Sequence, residues 1–308
     1  MSSSSFSCRQ IYKGSPVRRT ILSAAAAFAL AATGLIVMPS SAGAAVGDVP
    51  ADCHVATSAY RSDGQRLTYK FAGSRASVES IQGDTLAWVP AAFQGYSEAG
   101  GLDSFTSSEL ATHPTDGYLY SLVRWGRRTD GVWEMTKNTA TRITSGFGST
   151  RILARGYTYL YRVTGDSLYR YTLNGFDRPP TDRVQLPGTN WDNVNTLTYE
   201  RTEGTGSSAV DVLIGTKTNG ELKEWRINRT TPTSAISSTV LKSVGWAPFT
   251  SLSTGYCQDH PNGRPLLAIT ATGSASVHFD ANQKDRIGTD IKGGSLGSLG
   301  WTAKAYGQ

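Results

Sequence analysis

An aromatic ring and two hydrogen-bonding side chains stand next to one another at Trp191-Asp192-Asn193. A pyranose presents an apolar C–H face and a rim of hydroxyl groups, so a site for it needs an aromatic plate beside carboxylate, amide or main-chain partners. Other aromatic residues are expected near hairpin turns that carry an Asp or an Asn. The predicted sugar-binding residues are Trp191, Asp192, Asn193, Trp133, Tyr169, Trp225 and Trp246.

A repeat of about 50 residues determines where these side chains lie. Each unit starts at an aromatic residue that usually follows a glycine, which we call the anchor. The anchors are Tyr96, Phe147, Trp191, Trp246 and Trp301, separated by 51, 44, 55 and 55 residues. Each anchor precedes a strand-like run, a second run, a turn dipeptide such as Asn219-Gly220 and a third run, and these dipeptides suit tight hairpins. A looser fourth segment leads to the next anchor.

Four short antiparallel strands per unit, repeated around a closed array, predict an all-β fold, a β-propeller of five four-stranded blades. Six blades are the alternative, if the long segment 46–96 contains a further strand pairing. The first unit begins at its second strand, HVATSAY, and the run TAKAYG follows the last anchor. The C-terminal strand is therefore predicted to complete the N-terminal blade, which removes an exposed sheet edge.

The same residues also have a structural interpretation. The anchors recur once per unit, and a residue that recurs in this way is usually a wedge that packs one blade on the next. For the aromatic residues of the third runs the alternative is packing within the outer strands, and the Asp and Asn residues of the turns are turn formers. Asp192 and Asn193 have no counterpart after Trp246, where Ala247-Pro248 stands. Any binding sites are thus predicted to differ from blade to blade.

The first 44 residues are predicted to be a secretory signal peptide. They combine a basic leader, the apolar run ILSAAAAFALAATGLIV and a small-residue cleavage site at Ala42-Gly43-Ala44. The apolar run is short for a membrane span, so no membrane insertion is expected. Arg18-Arg19 leaves the twin-arginine export route open beside the general one. Cleavage near Ala44 would release residues 45–308 as one secreted domain.

Cleavage also changes the charge and the cysteine count. The leader carries four basic and no acidic residues, so the formal net charge falls from +6 to +2 and no nucleic-acid partner is expected. Cys53 and Cys257 are the cysteines left. Two cysteines in an exported protein predict one disulfide, here across the closure of the ring, and two separate buried thiols are the alternative.

The sequence shows no pattern that predicts catalysis. The first runs contain three carboxylates, Asp103, Asp192 and Glu200, which lie at different distances from the anchors and form no acid–base pair for glycoside cleavage. No nucleophile elbow occurs, and the four histidines show no metal-binding spacing. We therefore predict no catalytic residue, no metal and no cofactor, and a propeller glycosidase is the less favoured alternative.

Three segments, WDNVNTL, TYLYRVTGDSLYRYTL and VLIGTKTNGELKEW, resemble the repeats of the tachylectin-2 family of five-bladed propeller lectins. The resemblance is clear in the two central units, weaker in the outer ones, and spans roughly residues 100–301. It implies binding of N-acetylated amino sugars in pockets between neighbouring blades, with glycans on a cell surface as the partners. The alternative is a protein-binding or targeting subunit of a secreted assembly, such as a toxin particle.

Overall fold

The computed structural model describes residues 46–188, 190–298, 300 and 305–306, and these residues form five antiparallel sheets. Blade 1 contains β1 (Cys53–Tyr60), β2 (Arg66–Ala72) and β3 (Arg75–Glu79). Blade 2 contains β4 (Ala92–Gly100), β5 (Ser104–Thr112), β6 (Leu119–Thr129) and β7 (Val132–Thr144). Blade 3 contains β8 (Thr150–Arg155), β9 (Tyr159–Thr164), β10 (Ser167–Thr172) and β11 (Thr181–Gln185). Blade 4 contains β12 (Val194–Glu203), β13 (Val210–Lys217), β14 (Leu222–Asn228) and β15 (Ser237–Lys242).

Blade 5 contains β16 (Phe249–Thr254), β18 (Arg264–Thr270), β19 (Ser274–Asp280) and β20 (Lys292–Ser298). The short strands β17 (Tyr256–Cys257) and β21 (Ala305–Tyr306) pair with blade 1. Two one-turn 3-10 helices, Trp191–Asn193 and Gly206–Ser208, are the helical elements of the described residues. The protein is an all-β, five-bladed β-propeller, as the repeat predicts. Within the described residues no helix is long and apolar enough to cross a membrane.

The ring closes at blade 1, where two segments share the innermost strand position. The C-terminal strand β21 pairs antiparallel with the end of β1, in the register Tyr60↔Ala305, which confirms the predicted closure. The start of β1 pairs instead with β17, a contribution from blade 5 that the sequence did not reveal. The disulfide Cys53–Cys257 joins directly opposed residues of β1 and β17, which confirms the predicted cross-link.

In blade 2 the observed strands are offset by one from the predicted strands: the run YLYSLVRW, predicted as the second strand, lies from Leu119 onward in β6, the third strand. Tyr96 lies inside β4, and the described residue that stands where an anchor should be is Trp88, in the segment Trp88-Val89-Pro90. Gly95 resembled the start of a unit, but the β4–β5 pairing shifts register between Gly95 and Ser97, and the strand continues through this bulge. The predicted anchors Phe147, Trp191 and Trp246 do precede the first strands of their blades. Trp301 lies outside the described residues.

The apolar core lies between the blades, because each sheet is covered on both faces. On β13, Leu213 packs into the cluster shared with blade 3, whereas the next residue, Ile214, packs into the cluster shared with blade 5. Both side chains are fully buried. A strand buried on both faces reads as a nearly continuous apolar run, which explains the sequence VDVLIG at this place.

The connections divide between two faces of the ring. The turns between second and third strands lie on the face where the anchors begin each blade, which we call the anchor face. The connections between first and second and between third and fourth strands open on the opposite face, which we call the loop face. Strand β6 has 11 residues where the other third strands have six or seven. Because each third strand starts at the corresponding turn on the anchor face, the four or five extra residues carry blade 2 about 13–16 Å further on the loop face.

Candidate functional site

Three of the predicted anchors, Phe147, Trp191 and Trp246, link their own blade to the one before it. Their backbone N–H groups donate to carbonyl oxygens of the preceding blade, in the pairs Phe147 to Gly117 at 2.8 Å, Trp191 to Asp166 at 3.3 Å and Trp246 to Gly220 at 3.1 Å. Their rings pack on rings of the third strand of their own blade, in the pairs Phe147–Tyr171 at 5.3 Å, Trp191–Trp225 at 5.4 Å and Trp246–His278 at 4.8 Å between centroids. The anchors therefore act as wedges at the junctions.

At the junction of blades 3 and 4 this packing buries the rings of Trp191 and Trp225. Trp191 is 4% exposed and Trp225 is 6% exposed. The indole Nε1 of Trp191 is buried and has no hydrogen-bond partner among the described residues. Asp192 and Asn193 are exposed beside it, and the Asn193 carbonyl holds the Thr218 N–H at 2.9 Å. The junction thus offers one buried donor and two exposed polar side chains.

The remaining predicted site residues lie in different surroundings. Trp246 is 4% exposed and packs at the junction of blades 4 and 5. Tyr169 is half-buried on β10 under the Arg183 guanidinium, which lies 4.1 Å from the ring centre. Trp133 lies on β7 near the loop face and packs edge-on against Phe105 at 5.4 Å. The structure therefore brings Trp191, Trp225, Asp192 and Asn193 together and places the other three elsewhere.

A half-buried aromatic cluster that the sequence did not reveal lies at the junction of blades 1 and 2, on the anchor face. The Leu86 N–H donates to the Gly64 carbonyl at 3.0 Å, as the anchors do at their junctions. Two residues later the Trp88 ring packs against His113 at 4.7 Å and against Tyr120 at 5.0 Å. Trp88 and His113 keep part of their surface in solvent. This junction, unlike that of blades 3 and 4, leaves ring surface accessible.

Asp116 and Arg142 supply charge to the same cluster. The Asp116 carboxylate accepts hydrogen bonds from the Tyr120 hydroxyl at 2.6 Å, Arg142 Nη2 at 3.1 Å and the Tyr118 N–H at 2.9 Å. Burial would raise the pKa of Asp116, but the hydrogen bonds from Tyr120 and Tyr118 and the nearby positive charge together lower it. Arg142 also donates to the Tyr120 hydroxyl at 2.9 Å and is 60% exposed. We call Trp88, His113, Asp116, Tyr118, Tyr120 and Arg142 the shoulder cluster.

His113 accepts hydrogen bonds at Nδ1 from the backbone N–H groups of Thr115 and Asp116, both at 3.3 Å. An accepting Nδ1 assigns the ring proton to Nε2, so the His113 ring offers a hydrogen-bond donor to the cluster. The shoulder cluster can thus stack on an apolar surface, accept hydrogen bonds at a carboxylate and donate them from an imidazole and a guanidinium. These are the groups that recognise a polyhydroxylated ligand without reacting with it.

The buried carboxylates elsewhere are paired with arginine. Glu200, one of the first-strand carboxylates, pairs with Arg264 and with Arg201 at 2.7 Å, and Arg264 also pairs with Asp280 at 2.7 Å. Burial raises the pKa of Glu200, and the two arginines partly offset this effect. The Glu200–Arg264 pair joins blade 4 to blade 5. Among the described residues no group of three or more His, Cys, Asp or Glu side chains is placed to hold a metal ion.

No protein-family model matches the chain, and no curated protein matches it. Solved structures that resemble it include BBS1N in complex with ARL6DN, with 18% identity over 77% of this chain and 68% of that chain and a TM-score of 0.35. Luciferin-regenerating enzyme has 7% identity over 73% and 86%, with a TM-score of 0.35. The periplasmic gluconolactonase PpgL of Pseudomonas aeruginosa has 8% identity over 80% and 96%, with a TM-score of 0.28. At these values the likenesses carry no argument about function, and the propeller fold fits either a ligand-binding or an enzyme-like protein.

Proposed function

We propose that the protein is a secreted lectin that binds N-acetylated amino sugars between its blades on the anchor face, without catalysis. The observation that carries the proposal is the shoulder cluster, in which partly exposed rings, a carboxylate and an exposed guanidinium converge at one blade junction. The resemblance of the repeats to propeller lectins supports the same ligand class. The disulfide supports an oxidising compartment, and with it the removal of residues 1–44 on export.

The groups of the shoulder cluster match the groups of an amino sugar. The ring of Trp88 takes the C–H face, the Asp116 carboxylate accepts from hydroxyl groups, and the Arg142 guanidinium donates to the acetamido carbonyl. Asp116 stays ionised in mildly acidic surroundings because its hydrogen bonds lower its pKa. The carboxylate is therefore an acceptor over the range in which a cell-surface glycan would be met.

Asp192 and Asn193 define a second, weaker site at the junction of blades 3 and 4. Their exposed side chains lie beside the buried indole N–H of Trp191, which has no partner in the part of the chain that the structure describes, so a ligand there is held by hydrogen bonds rather than by stacking. The corresponding place in blade 5 carries Ala247, whose carbonyl accepts from Asn195 of blade 4 at 3.0 Å. The sites are unequal, and affinity for a glycan-coated surface comes from several weak sites on one rigid ring.

A glycan array tests the proposal. The full chain is expressed for export, the protein is purified from the medium, and free N-acetylglucosamine serves as competitor. We expect competable binding to amino-sugar glycans. Arg142→Gln should weaken it about tenfold through loss of a charged hydrogen bond, whereas Lys70→Gln, which removes another exposed ion pair, should leave it unchanged. A blank array with folded protein, or equal loss in both variants, contradicts the proposal.

The second candidate is a protein-binding subunit, and the projecting end of blade 2 favours it. Leu102 is 88% exposed, Val132 is 59% exposed and Trp125 is 46% exposed on this projection. Large exposed apolar residues on one element are typical of protein interfaces. If the array is blank, pull-down from the culture medium with Val132→Ser as the control variant is the test of this candidate.

A further inference from the structure

The loop face carries exposed rings that the anchor-face sites do not use. In three blades the connection between first and second strands is a glycine followed by a large residue, in the pairs Gly101-Leu102, Gly156-Tyr157 and Gly255-Tyr256. Leu102 is 88% exposed, Tyr157 is 87% exposed and Tyr256 is 65% exposed. These turns end the innermost strands, so their tips surround the mouth of the central tunnel.

Tyr256 is held firmly as a flat plate. Its backbone pairs with His54 in the β1–β17 ladder, and the next residue is the disulfide cysteine Cys257. The Tyr256 ring stacks on the His54 imidazole with 5.3 Å between centroids and 22° between planes. Gly255 permits this approach, because a Cβ there would lie 1.9 Å from the His54 carbonyl oxygen. His54 thus covers one side of the ring, and the other side faces solvent.

The segments next to the Tyr256 ring carry hydrogen-bonding groups that are held in place by one another. The Asp52 carboxylate accepts the Asp259 N–H at 2.7 Å and contacts His260 Nδ1 at 3.0 Å. The Asp259 hydrogen bond, assisted by His260, lowers the pKa of Asp52. Asp259 and His260 are both exposed and lie within four residues of Tyr256. A rigid ring with an ionised carboxylate and an imidazole at its edge is suited to a neutral sugar ring.

We infer that the loop face is a second carbohydrate-binding surface, which takes an extended polysaccharide chain across the mouth of the tunnel. Tyr256 is its principal stacking platform, and Tyr157 of blade 3 is a second one. The surface takes internal sugar units of a polymer, because its platforms lie on separate turns of an open face rather than in a pocket between blades. It does not depend on the amino-sugar sites of the anchor face.

Two features favour a glycan chain over other partners. Blade 2 projects about 13 Å beyond blades 1 and 5, which flank Tyr256, so a flat lipid bilayer that touches its tip cannot reach Tyr256. The exposed tyrosines stand on turns of different blades, and each has polar neighbours in sequence, Thr158 beside Tyr157 and Gln258-Asp259 after Tyr256, which suit a hydroxyl-rich chain. A slender chain can follow the separate platforms past the projecting blade.

Retention of the protein in gels that contain soluble glucans or xylan, which lack amino sugars, tests the inference. The full chain is expressed for export and the protein is taken from the medium. We expect retention by at least one polymer. Tyr256→Ala should weaken it by several-fold to about tenfold, the value of one aromatic stack, and the double variant with Tyr157→Ala should abolish it. Tyr256→Phe keeps the ring and should bind within about twofold of the unsubstituted protein.

Val244→Ala is the matched control, because Val244 is 74% exposed on the anchor face and its loss should change nothing. Arg142→Gln should also leave polymer binding unchanged, and this separates the inference from the proposed amino-sugar sites. A blank amino-sugar array with Tyr256-dependent retention would support the inference while the proposed function fails. The inference is overturned if no polymer retains the protein, if Tyr256→Ala binds normally, or if Tyr256 instead governs pelleting with phospholipid vesicles.

Discussion

Removal of the cross-link between Cys53 and Cys257 should cost the protein about 5 kcal/mol of unfolding free energy. The bond closes a loop whose ends are 204 residues apart. In the chain-entropy model a loop of this length restricts the unfolded chain by 2.1 + 1.5R ln n cal/mol/K, which is about 5 kcal/mol at 25 °C. Other contacts also hold blade 1 to blade 5 in the folded protein: β1 pairs with β17, and both cysteines pack in the apolar cluster between these blades. We therefore expect the folded ring to persist without the bond.

Urea denaturation of Cys53→Ala/Cys257→Ala, followed by tryptophan fluorescence, measures this cost. Alanine is chosen because both cysteines are buried and a serine hydroxyl there would lack a partner. The m-value should also rise, since an unfolded chain without the cross-link exposes more surface. Each single variant loses the bond but only one sulfur, so the singles should resemble the double variant if the cross-link itself is responsible.

A loss below about 1 kcal/mol with an unchanged m-value would refute the reasoning. That result would mean that the unfolded chain is already compact enough for the bond to restrict little. A much larger loss of unfolding free energy would instead show that blades 1 and 5 do not stay joined in the folded protein without the bond. Loss of the near-ultraviolet signal of Tyr256, which stacks on His54 beside the bond, would accompany that outcome.

Three further perturbations have outcomes set by single contacts. Trp191→Ala should destabilise the protein by about 3–5 kcal/mol in urea, because the ring is 4% exposed at its junction, whereas exposed Asp192→Ala should stay within about 0.5 kcal/mol. Arg124→Ala should cost about 3–5 kcal/mol, because it leaves Asp84 buried without its arginine, whereas Glu109 keeps Arg66 at 2.5 Å; a small loss would show that water replaces Arg124. Burial and Lys242 lower the pKa of His278 to about 4, so the unfolded chain takes up a proton first as the pH falls below about 6.5. Stability should then decline by roughly 2–3 kcal/mol between pH 6.5 and 4.5 by calorimetry, and His278→Gln should remove that part of the decline.

The sequence predicts the architecture best where the anchors are regular. Blades 3 to 5 each carry an anchor directly before the first strand, so their strands were assigned correctly. In blade 2 the Gly95-Tyr96 pair imitates an anchor, while the true start follows Trp88 and a long irregular connection. A bulge and a turn both favour glycine, and a single sequence gives no way to tell them apart. The sequence does not reveal that β17 forms part of the innermost strand of blade 1, because β17 has two residues and these are too few to form a pattern.

The shoulder cluster was beyond prediction for a different reason. Its members come from a connection, a turn and two strands, and the register Tyr120↔Arg142 between β6 and β7 is what brings Arg142 to Asp116. That register includes two shifts, which no alternation of residues reveals. His113 and Asp116 stand in the segment THPTDG, which carries no pattern that singles them out. Trp191-Asp192-Asn193 was detectable because its groups are adjacent in sequence, yet only the fold shows that the ring itself is buried.

The burial of the anchors separates stability from recognition in this ring. Five sheets close around an axis only if each junction is filled, and the rings of Phe147, Trp191 and Trp246 fill three of the junctions, so their faces are not free for a ligand. Rings that recognise a ligand must then lie where packing does not use them, as Trp88 and Tyr256 do in part and as Tyr157 does almost fully. Replacing a buried anchor should therefore change unfolding first, and replacing an exposed turn tyrosine should change binding first. Parallel loss of stability and binding in Tyr256→Ala would show that the two properties are not separated.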